Sequence, residues 1–351
     1  MSNRNELPRQ RRGSEQITLK QVAEAAGVSA ITVSRALNTP ERVNDTTRER
    51  ILDAVERLGY VPNLVAGSLA SSRSRFIAVI VPSLANAVFI EVIHGLQEAF
   101  EARGYQILLG NTDYDLQREY QLVRTFLGWS CSALVTAGLR HNEACLGLLR
   151  QWDKPVMEVM ELGEGLDLNV GLDHQHAGRH MATHLLERGY RSIVYVGACM
   201  DRDYRAAMRF AGHREVLEAA GLPTPLVELA RLGSLEAGAE GLDRALAERP
   251  EADAVHFAND DLAVGALLHA QRRGLRVPQD IAIAGFNGLP LGQHVTPRLT
   301  TILSPRATMG RVAAKQVLKR LDHDSDNALD NTLKPPCQHD VGFTLSVGES
   351  T

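Results

Sequence analysis

The chain has 351 residues, of which 44% are hydrophobic and 23% charged. No apolar stretch approaches the roughly 18 residues of a membrane span, and the length allows two or three domains with separate cores. The polar, basic N-terminus has no apolar segment behind it, which predicts a cytoplasmic rather than a secreted protein. Four well-separated cysteines indicate buried thiols rather than a disulfide framework.

The net charge of −4 conceals an uneven distribution along the chain. Residues 1–75 contain 12 Lys/Arg and 8 Asp/Glu, a balance of +4. The remaining residues contain 38 − 12 = 26 Lys/Arg and 42 − 8 = 34 Asp/Glu, a balance of −8. This asymmetry indicates a polyanion-binding N-terminal region attached to an acidic body.

The segment 18–59 predicts three short helices, over 19–26, over 30–37 and from 45 or 46 onward. Its capping and terminating residues are, in chain order, Thr18 with Gln21, Gly27, Ser29, Asn44 or Asp45, and Gly59. The residues expected in the core of this head are Val22, Ala25, Ala26, Val33, Ala36, Leu37, Ile51, Leu52, Val55 and Leu58. Two helices joined by a glycine-containing turn predict a helix-turn-helix domain.

The second helix has an outer face of unusual composition. The stretch from Val28 to Asn38 contains no acidic residue. Hydroxyl, amide, guanidinium and apolar groups on one face suit base edges and phosphates in a DNA major groove. The outward residues are Ala30, Ile31, Ser34, Arg35 and Asn38. The alternative is a polar surface helix of another three-helix domain.

The motif T-L-K-Q-V-A-E-A-A-G-V-S from Thr18, followed by T-V-S-R-A-L-N and then by G-Y-V-P-N-L-V-A-G-S-L-A, resembles the DNA-binding head of the lactose and galactose repressor (LacI/GalR) family. The resemblance implies a hinge that becomes helical on operator DNA, where Leu69 would enter the minor groove and bend the duplex. An ordinary flexible linker is the alternative for the hinge. The DNA contacts predicted in this way are Thr18, Ser29, Ala30, Ile31, Thr32, Ser34, Arg35, Asn38, Asn44, Thr47, Asn63 and Leu69.

From residue 76 onward, short apolar strands alternate with amphipathic helices. This alternation predicts two doubly wound α/β subdomains, with a ligand cleft where the carboxyl ends of their strands meet. The predicted strands are 76–81, 105–109, 133–137, 156–160, 193–197, 254–258, 281–285 and 341–347.

The resemblance extends over the body through Val81–Phe89, Arg209–His213, Phe257–Gly265, Val277–Phe286 and Pro297–Ile302. It implies a periplasmic-binding-protein-like core that forms a homodimer on a pseudo-palindromic operator and that binds a small effector in its cleft. No heptad pattern follows the last strand, so a tetramerising coil is not indicated. The boundaries expected are a disordered basic arm over 1–16, the head over 17–62, the hinge over 63–75, and a core over 76–348. Its first subdomain is expected over about 76–188 and 303–340, and its second over about 189–302 and 341–348.

Further similarity lies in Ala258–Ala266, Ala282–Phe286, Ser304–Gly310 and the ending G-F-T-L-S-V-G. In these stretches the body most resembles, within this family, the repressors of gluconate utilisation, which implies a sugar-acid effector. A carboxylate requires a cationic fork, and Arg209 matches the effector-binding arginine of the family, with Arg205 one helical turn earlier. Many sugar-binding relatives have Asp where this chain has Asn287. The effector contacts predicted are Ser83, Phe89, Asp173, Arg205, Arg209, Asn259, Phe286 and Asn287. Ordinary capping or surface placement is the alternative for each of them.

The effector is predicted to be gluconate or 6-phosphogluconate, with a different sugar or a different sugar acid, such as 2-ketogluconate, as the alternative. One helical face contains a histidine every four residues, at His176, His180 and His184. The sequence indicates no carboxylate or cysteine that would complete a set of metal ligands with them, so neither a metal nor a cofactor is predicted. The chain contains no hydrolase, metalloprotease, P-loop or dinucleotide motif, which predicts a regulator without enzymatic activity. A cytosolic sugar-acid-binding protein or an enzyme without a DNA role is the remote alternative.

Overall fold

The computed structural model describes residues 17–61, 74–326 and 337–351, which form two compact units divided between Ser74 and Arg75. The predicted basic arm and most of the predicted hinge, with Asn63 and Leu69, lie outside the described residues. No described helix is both long enough and apolar enough to cross a membrane.

The N-terminal unit contains helices α1 (Leu19–Ala26), α2 (Ala30–Asn38) and α3 (Asp45–Leu58), with a short 3₁₀ turn over Pro40–Arg42. The predicted capping box is present, because the Gln21 side chain accepts the Thr18 N–H at 2.7 Å and Thr18 Oγ1 accepts the Gln21 N–H at 3.4 Å. Gly27 ends α1 with a left-handed φ of 64°. The positions predicted for these three helices are therefore confirmed to within a residue or two.

Two positions predicted for the core of the head are wrong. Ala25 is exposed, and Leu52 is 47% exposed. Their places are taken by Ala23 and Ala54, which are buried. The reason is helical geometry, because residues three apart share one face of a helix. Ala23 lies three residues before the buried Ala26, so it joins the inward face that Ala25 misses. Ala54 lies three residues after the buried Ile51, so it joins the inward face that Leu52 misses.

The elements of the body alternate between strands and helices. In chain order they are β1 (Phe76–Val81), α4 (Ala87–Glu101), β2 (Gln106–Asn111), α5 (Leu116–Gly128), β3 (Ala133–Ala137), α6 (Glu143–Gln151), β4 (Val156–Glu161), β5 (Leu168–Leu172), α7 (His174–Glu187), β6 (Ile193–Ala198), α8 (Tyr204–Ala219), β7 (Leu226–Leu229), α9 (Leu235–Glu248), β8 (Ala254–Phe257), α10 (Asp260–Arg272), β9 (Ala282–Asn287), α11 (Pro290–His294), β10 (Thr300–Leu303), α12 (Arg306–Asp326), β11 (Cys337–Asp340) and β12 (Thr344–Ser346).

The strands form two six-stranded sheets, in the orders β11-β5-β4-β3-β1-β2 and β12-β10-β9-β8-β6-β7. Pairing is parallel except between β10 and β12. The predicted fold class is confirmed. The strand predicted over 341–347 is shorter, and β5, β7, β10 and β11 were not predicted.

Strand β1 shows how the first sheet is buried on both faces. Ile77 and Val79 belong to one hydrophobic cluster, whereas Ala78 and Ile80 belong to the cluster on the other side. Side chains that alternate between two apolar layers are the arrangement expected for a parallel sheet covered by helices. The carboxyl edge of the sheet therefore stays free to present polar side chains.

The chain passes between the sheets after β5, after β10 and between β11 and β12. Helix α7 packs against α8 and contacts β8 and β10 of the second sheet. The first crossing therefore falls at Asp173, earlier than the predicted position near residue 188. The other two passages lie close to the predicted residues 302 and 340.

Candidate functional site

The outer face of α2 is the part of the head that sequence reasoning assigned to DNA. Ala30 and Arg35 are exposed, Ile31 is 64% exposed, and Ser34 is partly buried. Asn38 lies in the last turn of the same helix. No acidic side chain belongs to α2, so the surface that this helix presents does not repel phosphate.

Several predicted DNA contacts also have a structural role. Ser29 Oγ accepts the Thr32 N–H at 3.2 Å, and Asn44 Oδ1 accepts the Thr46 N–H at 2.9 Å. These side chains cap α2 and α3 while remaining exposed, as does Thr18 at α1, and Thr47 is partly buried in the first turn of α3. Exposed helix N-termini present N–H groups that can bind phosphate oxygens.

In the body, the predicted effector residues lie at the carboxyl ends of strands or in the first two turns of the following helices. Ser83 and Phe89 follow β1, Asp173 follows β5, Arg205 and Arg209 follow β6, Asn259 follows β8, and Phe286 and Asn287 end β9. These strands belong to both sheets, so the positions combine the two edges at which ligands bind in such folds.

Arg205 connects the two subdomains. Its Nη1 donates to Glu161 Oε2 at 3.1 Å, and its guanidinium lies 5.7 Å from the centre of the Phe89 ring. Tyr204 donates to the other oxygen of Glu161, which also accepts the Leu139 N–H at 2.8 Å. Because Glu161 belongs to β4 and Arg205 to α8, this ion pair joins the strand-end edges of the two sheets.

Arg209 contacts another of the predicted effector residues, Phe286. Its guanidinium lies 4.2 Å from the centre of the Phe286 ring, and its Nη1 is 2.9 Å from His174 Nδ1. Burial and the nearby charge of Arg209 hold the pKa of His174 well below its usual range, so the imidazole is neutral and Nδ1 accepts. The carboxylate nearest to Arg209 is Asp203, at 3.8 Å.

The other predicted effector residues make local hydrogen bonds. Asp173 and Asn259 cap α7 and α10, and Ser83 Oγ accepts the Ala85 N–H at 3.2 Å. Asn287 is buried with a φ of 120°, and its backbone oxygen accepts a hydrogen bond from Arg306. The structure therefore brings Phe89 to Arg205 and Phe286 to Arg209 but shows no contact that unites all eight residues.

A cavity of about 140 Å³ opens between the subdomains beside Arg205. Its walls include Thr112 and Tyr114, which follow β2, Arg202, which precedes α8, and Tyr204 at the start of that helix. The cavity thus carries hydroxyl and guanidinium groups, which can bind an anionic, hydroxylated ligand.

Sequence reasoning missed several buried polar residues of the cleft. They are Glu119, His141, Glu158, Glu161, His174 and Arg306. Glu158 and Glu161 interrupt the apolar stretch V-M-E-V-M-E, and this was the signal available in the sequence. Buried acids inside a strand require partners, and those partners lie far away along the chain.

The histidine series on α7 does not converge on one point. His176 and His180 are exposed and pack against Phe343 at ring-centre distances of 5.1 and 5.7 Å, whereas His184 is buried and lies 3.0 Å from Thr351 Oγ1. Atoms that could bind a metal ion do lie close together elsewhere in the described part of the chain. Glu119, His141 and Cys145 each offer one within 4.8 Å of the others.

Comparisons with known proteins found matches to both the N-terminal head and the body of the chain. The pattern of bacterial regulatory proteins of the lacI family matches residues 18–63, and that of a periplasmic binding protein-like domain matches residues 182–351. The HTH-type transcriptional regulator GntR of Escherichia coli (strain K12) is 38% identical over 333 residues, which cover 95% of this chain and 98% of that protein. GntR of Pseudomonas aeruginosa (strain PAO1) is 40% identical over 339 residues, 95% of each chain.

Among solved structures, a LacI-family transcriptional regulator from Silicibacter pomeroyi is similar with a TM-score of 0.86 at 38% identity, covering 95% of this chain and 99% of that one. The fold and the sites thus define a DNA-binding transcription regulator with a ligand-binding core. The chain belongs to the lacI family of bacterial regulatory proteins. The predicted family is confirmed, and the similarity to two GntR proteins over nearly the full length agrees with the predicted branch.

Proposed function

We propose that the protein is a cytoplasmic, homodimeric repressor of sugar-acid catabolism genes that releases its operator when a gluconate-type acid binds in the cleft, and that it has no enzymatic activity. The observation that carries this proposal is that one chain combines an α2 whose outer face lacks acidic residues with a body in which α8 holds two buried arginines at the strand-end edge. Two copies of α2 in a symmetric dimer fit two half-sites of a pseudo-palindrome.

The arginines favour an anionic ligand over a neutral sugar. Arg205 has a carboxylate partner at 3.1 Å, whereas the nearest carboxylate to Arg209 is at 3.8 Å. We therefore assign the ligand carboxylate to Arg209, with Phe286 behind it as an apolar wall. Asn287 supports the same choice, because an amide in place of a carboxylate removes a repulsive charge.

The ion pair between Arg205 and Glu161 supplies a physical route from ligand to DNA. A carboxylate held at Arg209, one helical turn along α8, also attracts Arg205 and so weakens its contact with Glu161, which joins the subdomains. Coupling between an effector site and a distant site is typically about 1–3 kcal/mol, about 5- to 150-fold in affinity. We expect ligand binding to lower the affinity for the operator and so to release it.

Titration of the full-length protein with gluconate, 6-phosphogluconate and 2-ketogluconate, together with operator footprinting, tests this function. We expect one of these acids to bind and to reduce protection of the operator. Arg209→Ala should weaken acid binding by about 10- to 100-fold, since a charged hydrogen bond is lost, while footprints without ligand stay unchanged. Arg214→Ala, an exposed change on the same helix, is the control.

The proposal fails if the intact protein protects no nucleotide of its own promoter, with or without an acid. The pocket is misplaced if Arg209→Ala responds at the same effector concentration as the wild type. Chemical analysis of the acid after incubation separates a regulator from an enzyme, because a regulator returns its ligand unchanged.

A further inference from the structure

A buried carboxylate with a free oxygen borders the cavity between the subdomains. Glu119, on α5, lines the cavity, and its side chain is 9% exposed. Its Oε1 lies 3.0 Å from His141 Nδ1, whereas its Oε2 is buried and has no hydrogen-bond partner among the described residues. Burying an acceptor without a donor is unfavourable, so such an atom marks a place where a further donor binds.

His141 and Glu158 hold this carboxylate in position. His141 Nε2 lies 3.1 Å from Glu158 Oε1, and Glu158 Oε2 accepts the Leu166 N–H at 2.5 Å. Both ring nitrogens face carboxylate oxygens, so both carry hydrogen and the ring is an imidazolium. Burial lowers the pKa of His141, but hydrogen bonds with Cys145, Glu119 and Glu158 outweigh this effect and raise it to about 12.

The second subdomain supplies the opposite charge to the same cavity. Arg205, which is buried on α8, and Arg202, which is exposed just before that helix, both line it. The cavity therefore combines guanidinium groups, Arg202 and Arg205 from the second subdomain and Arg140 from the first, with the carboxylates of Glu119 and Asp201. A ligand that satisfies both needs an anionic end and a hydrogen-bond donor without negative charge.

We propose that Glu119 is the hydroxyl-recognition residue of the effector cavity, accepting at Oε2 a hydrogen bond from a hydroxyl of a non-phosphorylated hydroxy acid whose carboxylate lies toward the α8 arginines. This inference rests on the proposed function and selects between its ligands. An ionised carboxylate is an acceptor only, so it binds a hydroxyl and repels a phosphate group at the same place.

Calorimetric titration of the full-length wild type and of Glu119→Gln with gluconate and with 6-phosphogluconate tests the assignment. The wild type should bind gluconate at least about 10-fold more tightly than the phosphorylated acid. Glu119→Gln should weaken gluconate binding by about 10- to 100-fold, the effect of losing a charged hydrogen bond. It should leave the affinity for 6-phosphogluconate unchanged or increase it, because the repulsive charge is removed.

The ratio of the two affinities separates recognition from damage to the fold, since a misfolded variant loses both ligands together. Glu143→Gln, an exposed acid on α6, is the matched control and should leave both affinities unchanged. Gluconate analogues that each lack one hydroxyl give a measurement on the wild type alone. At least one of them should bind about 10-fold more weakly than gluconate.

Three outcomes would overturn the inference. An unchanged affinity ratio in Glu119→Gln would leave the free oxygen without a role in recognition. Tight, equimolar binding of Zn²⁺ alone by the wild type, absent in the variant, would assign that oxygen to a metal held with His141 and Cys145. Binding of no sugar acid by the wild type would remove the proposed function and this inference with it, whereas the first two outcomes leave the proposed function intact.

Discussion

Arg35 is the residue of the α2 face with the strongest capacity to bind DNA. Its neighbours on that face, Ala30 and Ile31, lack hydrogen-bonding side chains and can only touch a thymine methyl or exclude a wrong base. A guanidinium can bind a phosphate or the O6 and N7 atoms of guanine through paired hydrogen bonds. Arg35 is also exposed, so it reaches a duplex without rearrangement of the head.

Arg35→Ala should weaken operator binding by about 10- to 100-fold, because one base or phosphate contact is worth about 1–3 kcal/mol. The slope of log affinity against log salt should fall by about one if the lost contact is to phosphate. Filter binding or fluorescence anisotropy at several salt concentrations measures both. Arg150→Ala, an exposed change on the body, should change neither, and an equal effect of the two substitutions would count against the α2 interface.

Pairs of helices in the body pack through closely approaching glycines. A Cβ at Gly212 of α8 would lie 1.9 Å from the Gln175 carbonyl oxygen of α7, and one at Gly178 of α7 would lie 2.0 Å from that of Arg209. The same reciprocal contact joins α4 to α12 and α9 to α10, through Gly95 with Gly310 and Gly238 with Gly265. The α7–α8 contact matters for function because α8 carries both cleft arginines.

Gly212→Ala should destabilise the body by about 1–3 kcal/mol or more, since the methyl group forces two backbones apart. The midpoint of urea unfolding measures this change. Gly147→Ala is the matched control, because Gly147 lies within α6 and a Cβ there meets no atom within 4 Å. That variant should gain about 0.5–1 kcal/mol from the better helix propensity of alanine. Equal effects at the two glycines would show that helix packing is not the cause.

At the scale of the whole molecule, buried ionisable groups couple stability to pH. His213 and His256 are both buried, with their Nδ1 atoms 3.0 Å apart, so one ring donates and the other accepts. Burial lowers the pKa of His213 to about 3 and that of His256 well below its usual range. Asp260 has the opposite effect on the pH dependence of stability. Burial raises its pKa to about 6, so lowering the pH protonates it first in the folded protein and favours folding.

A histidine whose pKa is lowered in the folded state has no effect on the pH dependence well above about 6.5, the pKa of a histidine in the unfolded chain. As the pH falls below that value, the unfolded chain takes up a proton that the folded protein does not, so the free energy of unfolding decreases until the pH reaches the folded-state pKa. At pH 5.5 the loss is about 1 kcal/mol for each such histidine. His213→Leu should therefore reduce the difference in unfolding free energy between pH 7.5 and pH 5.5 by about that amount, whatever its effect at neutral pH. His94→Gln, at an exposed histidine, should leave the difference unchanged. A variant as sensitive to pH as the wild type would contradict this account.

The sequence by itself determined the features that arise from neighbouring residues. The capping box of Thr18 and Gln21 and the turn at Gly27 involve bonds over three to five residues, so their helix boundaries could be predicted, and the acid-free face of α2 needed only helical periodicity. Only the tertiary structure decided which partners the buried charges have. His141 lies 22 residues from Glu119 and 17 from Glu158, and Arg205 lies 44 from Glu161. Contacts over such separations depend on how strands and helices from both sheets assemble, and no local pattern encodes that assembly.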